Sequence, residues 1–402
     1  MVLGYQVPRH TALGIIGSLG AIAALVVLAP LGGDFARFWV FGLAFGIVLQ
    51  RSRFCFTSAF RDLFLLQDGR GMRGVLAGLA IATPGFAIVM SNQIPNPTLG
   101  MLPPDANILP LGIHTVVGGV IFGLGMVLAG GCASGSISRM GEGYVASWVA
   151  LGGMLIGLLG VAYTWNWWWD ISIGRGARIW LPAYIGHGAS IAVTFAALAG
   201  MYLATVWWES RSGLAPQPPA LPAAPGVDMT ARLRHVVQLV FVRGWPIAIG
   251  GAALGLLNVL LYAGAHPWGF TGELSRWVIG AATALQIGPG TLTGADELPG
   301  CALELGDGGV LHHMLFLVLG MIGGSFIAAA FAGEFRIRVP RQPARQLQAL
   351  GGGIAMGYGA GIGLGCTIGA FFSAIPSLGL NGWVFAGCLA CGAWLGSRII
   401  AR

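Results

Sequence analysis

Charge is scarce in this sequence. Of 402 residues only 9% are Asp, Glu, Lys or Arg, where a soluble globular domain carries about 25%. Water is therefore not the main solvent of the fold, which excludes an ordinary soluble enzyme. The net charge of +7 is scattered through short loops, so a nucleic-acid partner is not indicated. Catalytic signatures are missing as well. The chain contains no Walker sequence, no GxGxxG opening a strand–helix unit, no HExxH and no Ser-His-Asp arrangement. Chemistry on ATP, nicotinamides or peptides has no support; the chain is not expected to be an enzyme or to carry a cofactor. Cys388 and Cys391 form a CLAC run without His or acidic neighbours, short of the four ligands of a zinc site, so no metal is expected. Four histidines, His114, His187, His312 and His313, lack metal-like spacing and read as packing or interfacial residues.

What the chain has in excess is apolar surface. Hydrophobic residues make up 56%, with 68 glycines and 14 tryptophans. Glycine lets helices approach closely in lipid, and tryptophan favours the membrane interface. A hydrocarbon core of about 30 Å needs roughly 20 apolar residues per helix. Continuous candidates lie near 11–31, 73–91, 112–131, 144–163, 183–208, 245–265, 309–332, 346–365 and 381–400. Two further stretches, 38–50 and 277–288, are too short to cross alone, and the first reads as a broken or re-entrant helix. The expectation is an all-α integral membrane protein with about 9–11 transmembrane helices.

The basic residues sit in loops around Arg61, Arg70 and Arg73, around Arg232, Arg234 and Arg243, and around Arg336, Arg338, Arg341 and Arg345. Under the positive-inside rule this places both termini in the cytoplasm of a bacterial inner-membrane protein. Residues 11–31 follow Arg9 and His10 without an A-x-A-like cleavage site, so they read as a retained helix. The stretch between Arg211 and Arg234 is rich in Pro and Ala and predicts an extended cytoplasmic linker. Residues 165–182, WNWWWDISIGRGARIWLP, predict an interfacial belt. The organisation expected is an extra N-terminal helix (1–36), a first membrane repeat with an added helix (37–208), the linker (209–244) and a second repeat (245–402).

The two halves repeat. Gly118-Gly119-Val-Ile-Phe-Gly123-Leu-Gly125 through Gly131-Cys132 matches Gly352-Gly353-Ile-Ala-Met-Gly357-Tyr-Gly359 through Gly365-Cys366, and Phe54-Cys55-Phe56-Thr57 matches Trp268-Gly269-Phe270-Thr271. With the Arg-rich loops inside, the repeats start on opposite sides, giving an inverted repeat whose site lies where helices break at mid-membrane.

Three breaks share one design: RSRFCFTSAFRD (51–62), LAGGCASGSISR (128–139) and GIGLGCTIGAFFS (361–373). Irregular backbone at membrane depth survives only inside protein or around a wet cavity. Gly131 and Gly365 permit the turns. Ser134, Ser136 and Thr367 lie where first-turn hydroxyls and backbone N–H groups can face an anion. Cys55, Cys132 and Cys366 add soft, weakly donating thiols, suited to a sulfur-bearing anion. Arg53, Arg61 and Arg139 flank the cysteines and can either draw an anion inward or snorkel to the interface. Cys301 falls in a polar loop with Asp296, Glu297, Glu304 and Asp307 and reads as a surface residue.

These motifs together, RSRFCFTSAFRD, GGCASGSISRMGEG and GYGAGIGLGCTIGAFFSAIPSLGLNGW, resemble the YeeE/YedE family of bacterial inner-membrane proteins, from about residue 38 to the C-terminus. The resemblance implies an hourglass of helices, uptake of sulfur-containing anions with thiosulfate foremost and selenium compounds for some members, and a relay of hydrogen bonds from Cys55, Cys132 and Cys366. It also implies a small sulfurtransferase-like partner, expected here as a separate protein. The alternative function from another class is a membrane sulfurtransferase or oxidoreductase subunit working through persulfides on the same cysteines.

Overall fold

In a bilayer the backbone has no water to bond to, so an apolar chain must close its hydrogen bonds within itself. The computed structural model describes residues 9–211, 244–298, 303 and 312–401, and among them it contains helices, turns and three isolated β-bridges but no sheet. The Pro-rich linker, Arg232, Arg234, Arg243, Cys301, Glu304 and Asp307 lie outside the described residues.

The helices are α1 (Arg9–Leu28), α2 (Gly33–Ser52), α3 (Phe56–Leu65), α4 (Arg70–Gln93), α5 (Ile113–Ala129), α6 (Ala133–Gly141), α7 (Val145–Trp168) and α8 (Leu181–Ser210). After the linker come α9 (Ile247–Gly264), α10 (Thr271–Ala284), α11 (His313–Phe331), α12 (Pro343–Ile362) and α13 (Leu380–Ile400). Two π-helical turns, Trp169–Ile173 and Thr367–Ser373, follow α7 and α12. Among the described residues nine helical runs are long and apolar enough to cross a membrane, or ten if α12 and the π turn, bent by 49°, form one broken span.

Three expectations need adjustment. The stretch 38–50 is the middle of a 20-residue helix, α2, because an Asp34–Arg37 ion pair of 2.5 Å lets it begin at residue 33. The stretch 277–288 is shifted: its helix, α10, starts earlier, at polar Thr271 and Glu273, and ends at Ala284, which at 14 residues is still too short to cross alone. The Trp-rich segment is only partly a belt. Trp167 is exposed, but Trp165, Trp168 and Trp180 are buried. Their neighbours explain this: the Trp165 indole donates to the Thr293 carbonyl at 2.9 Å and that of Trp168 to the Tyr358 hydroxyl at 3.1 Å.

Helices meet through glycine, since lipid offers no hydrophobic reward for helix contact and close van der Waals approach must supply it. Gly42 lies against Gly320 and Gly46 against Met321 and Ser325, so α2 and α11 run parallel. By the same register α4 runs parallel to α9, α5 to α13 and α7 to α12. Gly118 meets Gly359 and Gly363 while Gly125 meets Gly352 and Met356, so α5 and α12 cross antiparallel. The C-terminal end of α2 meets the start of α9 through Ser52 and Gly250. The break after α5 and the break after α12 therefore open from opposite ends of the bundle. Helix α1 is peripheral and mostly exposed to lipid, touching α11 where Gly14 meets Phe331.

This packing sets a stability test. A side chain at Gly353 would run into the Ala150 carbonyl and the Gly153 Cα, whereas one at Gly351 meets nothing within 4 Å. Gly353→Leu should lower stability by about 3 kcal/mol, the upper end of overpacking costs, and Gly351→Leu should be near neutral. Thermal unfolding of the two variants in detergent measures the difference.

Candidate functional site

Each break is built by a residue in the left-handed region. Arg53 (φ 52°) ends α2, Gly130 (φ 76°) ends α5, and Leu364 (φ 58°) follows α12. Leu364 stands where the matching motif has Gly130, and both adopt the left-handed conformation, even though a leucine there is strained by about 1–2 kcal/mol. After each turn the chain extends through a cysteine. Cys55 (φ −149°, ψ 124°), Cys132 (φ −75°, ψ 177°) and Cys366 (φ −92°, ψ −171°) occupy the N-cap positions of α3, α6 and the second π turn. The Cys132 sulfur acts as a cap, accepting the Gly135 N–H at 3.4 Å, with the Ser134 hydroxyl at the same 3.4 Å.

Two of the three thiols meet. The Cys55 and Cys132 side chains lie beside one another. A methyl group at Gly135 would lie 2.9 Å from the Cys55 sulfur and 3.4 Å from that of Cys132, so glycine at 135 leaves both sulfurs room. Cys366 stands in the other break and approaches Thr271 instead. The reason is visible in the repeat: the Cys55 position is Gly269 in the second half, and the nearest polar group left is the threonine two residues on. Between the breaks lies an aromatic layer. Phe56 packs edge-on to Phe371 (6.2 Å) and Phe372 (5.2 Å), and Phe372 likewise to Trp268 at 6.4 Å.

A cavity of about 360 Å³ leads to the paired thiols, lined by Cys55, Gly135, Ser138, Arg139, Glu142 and Arg338 among others. Arg139 is tied to the Gly130 carbonyl, which holds its charge beside the second break. Arg53 does not reach inward: it is exposed at the rim and pairs with Glu334 at 2.7 Å. Arg61 pairs with Asp62 at 2.8 Å and lies away from the cavity lining. Burial pushes the Glu142 carboxyl above the ordinary carboxylate range, and Arg139 and Arg338 pull it part of the way back. Arg338 closes the wall, bonding through its backbone to Gly143 and Val145 (2.8 and 3.1 Å) and lying over the Tyr144 ring. The chain has no lysine, so all 21 of its Lys and Arg positions are arginine, the cation whose planar fork suits oxyanions.

The predicted residues Gly131, Ser134, Ser136, Gly365 and Thr367 lie within these two breaks, the serines and the threonine buried. The Ser136 hydroxyl lies beside Gly131, and its N–H bonds the Cys132 carbonyl at 2.8 Å. At or beside the breaks three fully buried hydroxyls, those of Thr57, Thr271 and Thr367, have no conventional hydrogen-bond partner, which is uncommon for buried polar atoms. Thr57 and Thr271 were not singled out from the sequence, although they are repeat counterparts and the FCFT/WGFT match contained them. Also missed were the clamps. Asn258 donates to the Ser373 hydroxyl at 3.0 Å and accepts the Trp268 N–H at 2.7 Å, and Asn107 donates to the Gly369 carbonyl at 3.2 Å. Cys388 and Cys391 lie elsewhere, half-buried and exposed on α13.

The contrast between clamps and unpaired hydroxyls is measurable. Thr57→Val and Thr271→Val remove an unsatisfied buried hydroxyl, so the protein without added anion should be more stable by about 1 kcal/mol. Asn258→Leu strands two partners and should cost about 2–3 kcal/mol. Thermal melts of the purified variants distinguish the two classes.

Comparison with known proteins agrees with this architecture. The family described as Sulphur transport matches residues 51–395. The Escherichia coli K12 protein named thiosulfate transporter TsuA is 30% identical over 365 residues, 89% of this chain and 92% of that one. Its namesake from Spirochaeta thermophila is 32% identical over 370 residues, 90% and 97% of the two chains. The probable transporter YedE of Salmonella typhimurium is 34% identical over 171 residues, 41% of this chain and 40% of that one. With a match across most of its length and Cys-bearing helix breaks in a multi-pass helical body, the chain belongs to the Sulphur transport (YeeE/YedE) family of membrane transporters.

Proposed function

We propose that this protein takes up thiosulfate across the bacterial cytoplasmic membrane, passing it between thiols at the helix breaks. The observation that carries the reading is the meeting of Cys55 and Cys132 around Gly135 at the end of a polar cavity. Thiosulfate is sulfate with one oxygen replaced by sulfur, so its terminal sulfur is soft and weakly hydrated. A neutral thiol can donate S–H to that sulfur or to an oxygen, weakly enough that the anion is not trapped. Helix N-termini at α3, α6 and the π turn add partial positive charge where the anion sheds water. Ser134, Ser136, Thr367, Gly131 and Gly365 belong to this neck, Arg139 supplies charge beside it, and Arg53 guards the rim.

The two halves are read as inverted repeats forming an hourglass. Support comes from the antiparallel α5/α12 crossing and from the exchange of helix pairs: swapping halves converts α2–α11 into α9–α4 and α7–α12 into α13–α5. The arginine-lined cavity opens on the side where α2 and α13 end, the cytoplasmic side under the positive-inside rule. Both termini are then cytoplasmic, and a separate small sulfurtransferase-like protein would receive the anion there. Selenium-containing anions would satisfy the same soft donors. A persulfide-forming sulfurtransferase subunit is the second reading, favoured by the contact between Cys55 and Cys132; a persulfide or disulfide mass on those residues in purified protein would select it.

The relay makes a plain demand. Cys132→Ala or Cys366→Ala should abolish growth on thiosulfate as sulfur source while leaving the amount of protein in the membrane unchanged. Normal growth of both variants would end the relay.

A further inference from the structure

At the end of the bundle opposite the arginine-lined cavity, α10 carries a buried carboxylate that the thiol relay does not use. The Glu273 side chain is 0% exposed. Its Oε1 accepts the Trp277 indole N–H at 2.6 Å, and its Oε2 faces His312 Nδ1 at 2.9 Å and Arg276 Nε at 3.9 Å. His312 is 24% exposed and lies against His313 with ring centroids 3.9 Å apart and the rings tilted by 42°, and His266 lies 5.8 Å further on from His313. A carboxylate sealed among membrane-spanning helices is expensive and marks an ion or proton path by default. Here one partner is sealed from solvent and the other reaches it, so His312 gives protons a route to Glu273.

Position ties this pair to the proposed neck. Glu273 is two residues after Thr271, whose side chain approaches Cys366. Residues two apart project from nearly opposite sides of a helix, so Glu273 sits behind the first turn of α10 rather than in the neck. An anion at Cys366 would lie at the start of the helix whose first turn holds this carboxylate. Two negative charges so placed repel, and protonating the Glu273–His312 pair relieves the repulsion. The effect is reciprocal, because a proton that favours the anion is itself favoured by it. Other ionisable groups on the elements around the pair, among the described residues, are Asp34, Arg37 and Arg51 on α2, Tyr163 on α7, His266 before α10, Arg276 on α10, His313 on α11, and Arg345 and Tyr358 on α12. Tyr163 and Tyr358 have hydrogen-bond partners of their own, and Asp34 is paired with Arg37. Glu273 with His312 is thus the buried acid–imidazole pair adjoining the second break.

We infer that Glu273 and His312 form a proton-binding site on α10 that couples proton entry to entry of the anion. The inference rests on the thiosulfate-uptake reading, and the test separates the two. The full chain is reconstituted in liposomes with a pH dye in the lumen, the membrane potential held at zero, and labelled thiosulfate outside. Thiosulfate addition should acidify the lumen, and each unit of inward acid gradient should raise accumulation about tenfold for one proton per anion. Glu273→Gln should keep thiosulfate–thiosulfate exchange, lose the acidification and accumulate no label above equilibrium. Glu273→Asp should restore acidification in part. His312→Gln, the second variant should Glu273→Gln fail to insert, should slow acidification at least tenfold while exchange persists. Exchange without acidification in the unmodified protein overturns coupling and leaves transport standing. Acidification undiminished in Glu273→Gln or His312→Gln assigns the proton to another group and overturns the site. No exchange in the unmodified protein removes the transport reading, and the coupling with it.

Discussion

The structure depends on one constraint: an interrupted helix inside a membrane leaves backbone N–H and C=O groups that lipid cannot satisfy. Each break is tolerated because neighbouring side chains take over those groups. The Gly130 carbonyl receives Arg139, the Gly369 carbonyl receives Asn107, and the Trp268 N–H and carbonyl are held by Asn258 and Ser373. Ser138 and Ser325 bond each other at 2.9 Å and anchor α6 to the Gly46 carbonyl on α2. The surrounding helices supply the rigidity, meeting at glycine so closely that backbone touches backbone. What the clamps leave at the breaks is three cysteines outside any disulfide and three buried threonine hydroxyls without a conventional partner.

That remainder is chemically uneven between the halves. In the first, Cys55 lines the cavity and Cys132 lies beside it across Gly135. In the second, Gly269 stands at the matching position, and Cys366 approaches Thr271. Two thiols thus stand together toward one side and a thiol beside a threonine toward the other, where the buried Glu273 also lies. A permeant with one soft and several hard atoms can be held at both without binding tightly at either.

Much of the fold was legible because membrane helices announce themselves by length and apolarity, and because Gly118 through Cys132 and Gly352 through Cys366 repeat at constant spacing. The exact limits were not. Helix α2 starts at Gly33 because an Asp34–Arg37 pair tolerates the interface, and α10 starts at a Thr and a Glu that look like loop. The cysteines stood out through their glycine-rich surroundings. Which thiol faces which did not, since it depends on the antiparallel crossing of α5 and α12. Arg53 looked like an inward-drawing charge, but its partner Glu334 is 281 residues away, and no local pattern reveals such a pair. Thr57 and Thr271 went unnoticed because a threonine in an apolar helix is unremarkable until its hydroxyl is found unpaired. The role of Trp165 likewise required seeing the Thr293 carbonyl brought to it.

The central claim is that thiols at the breaks read the sulfur end of the anion. The direct measurement is competition in proteoliposomes, with unlabelled sulfate set against labelled thiosulfate exchange. Sulfate has the same charge and three of the same oxygens but lacks the soft atom. The account predicts that at least tenfold more sulfate than unlabelled thiosulfate is needed to halve the exchange. Sulfate competing as well as thiosulfate would mean that charge and shape alone are recognised, and would contradict it.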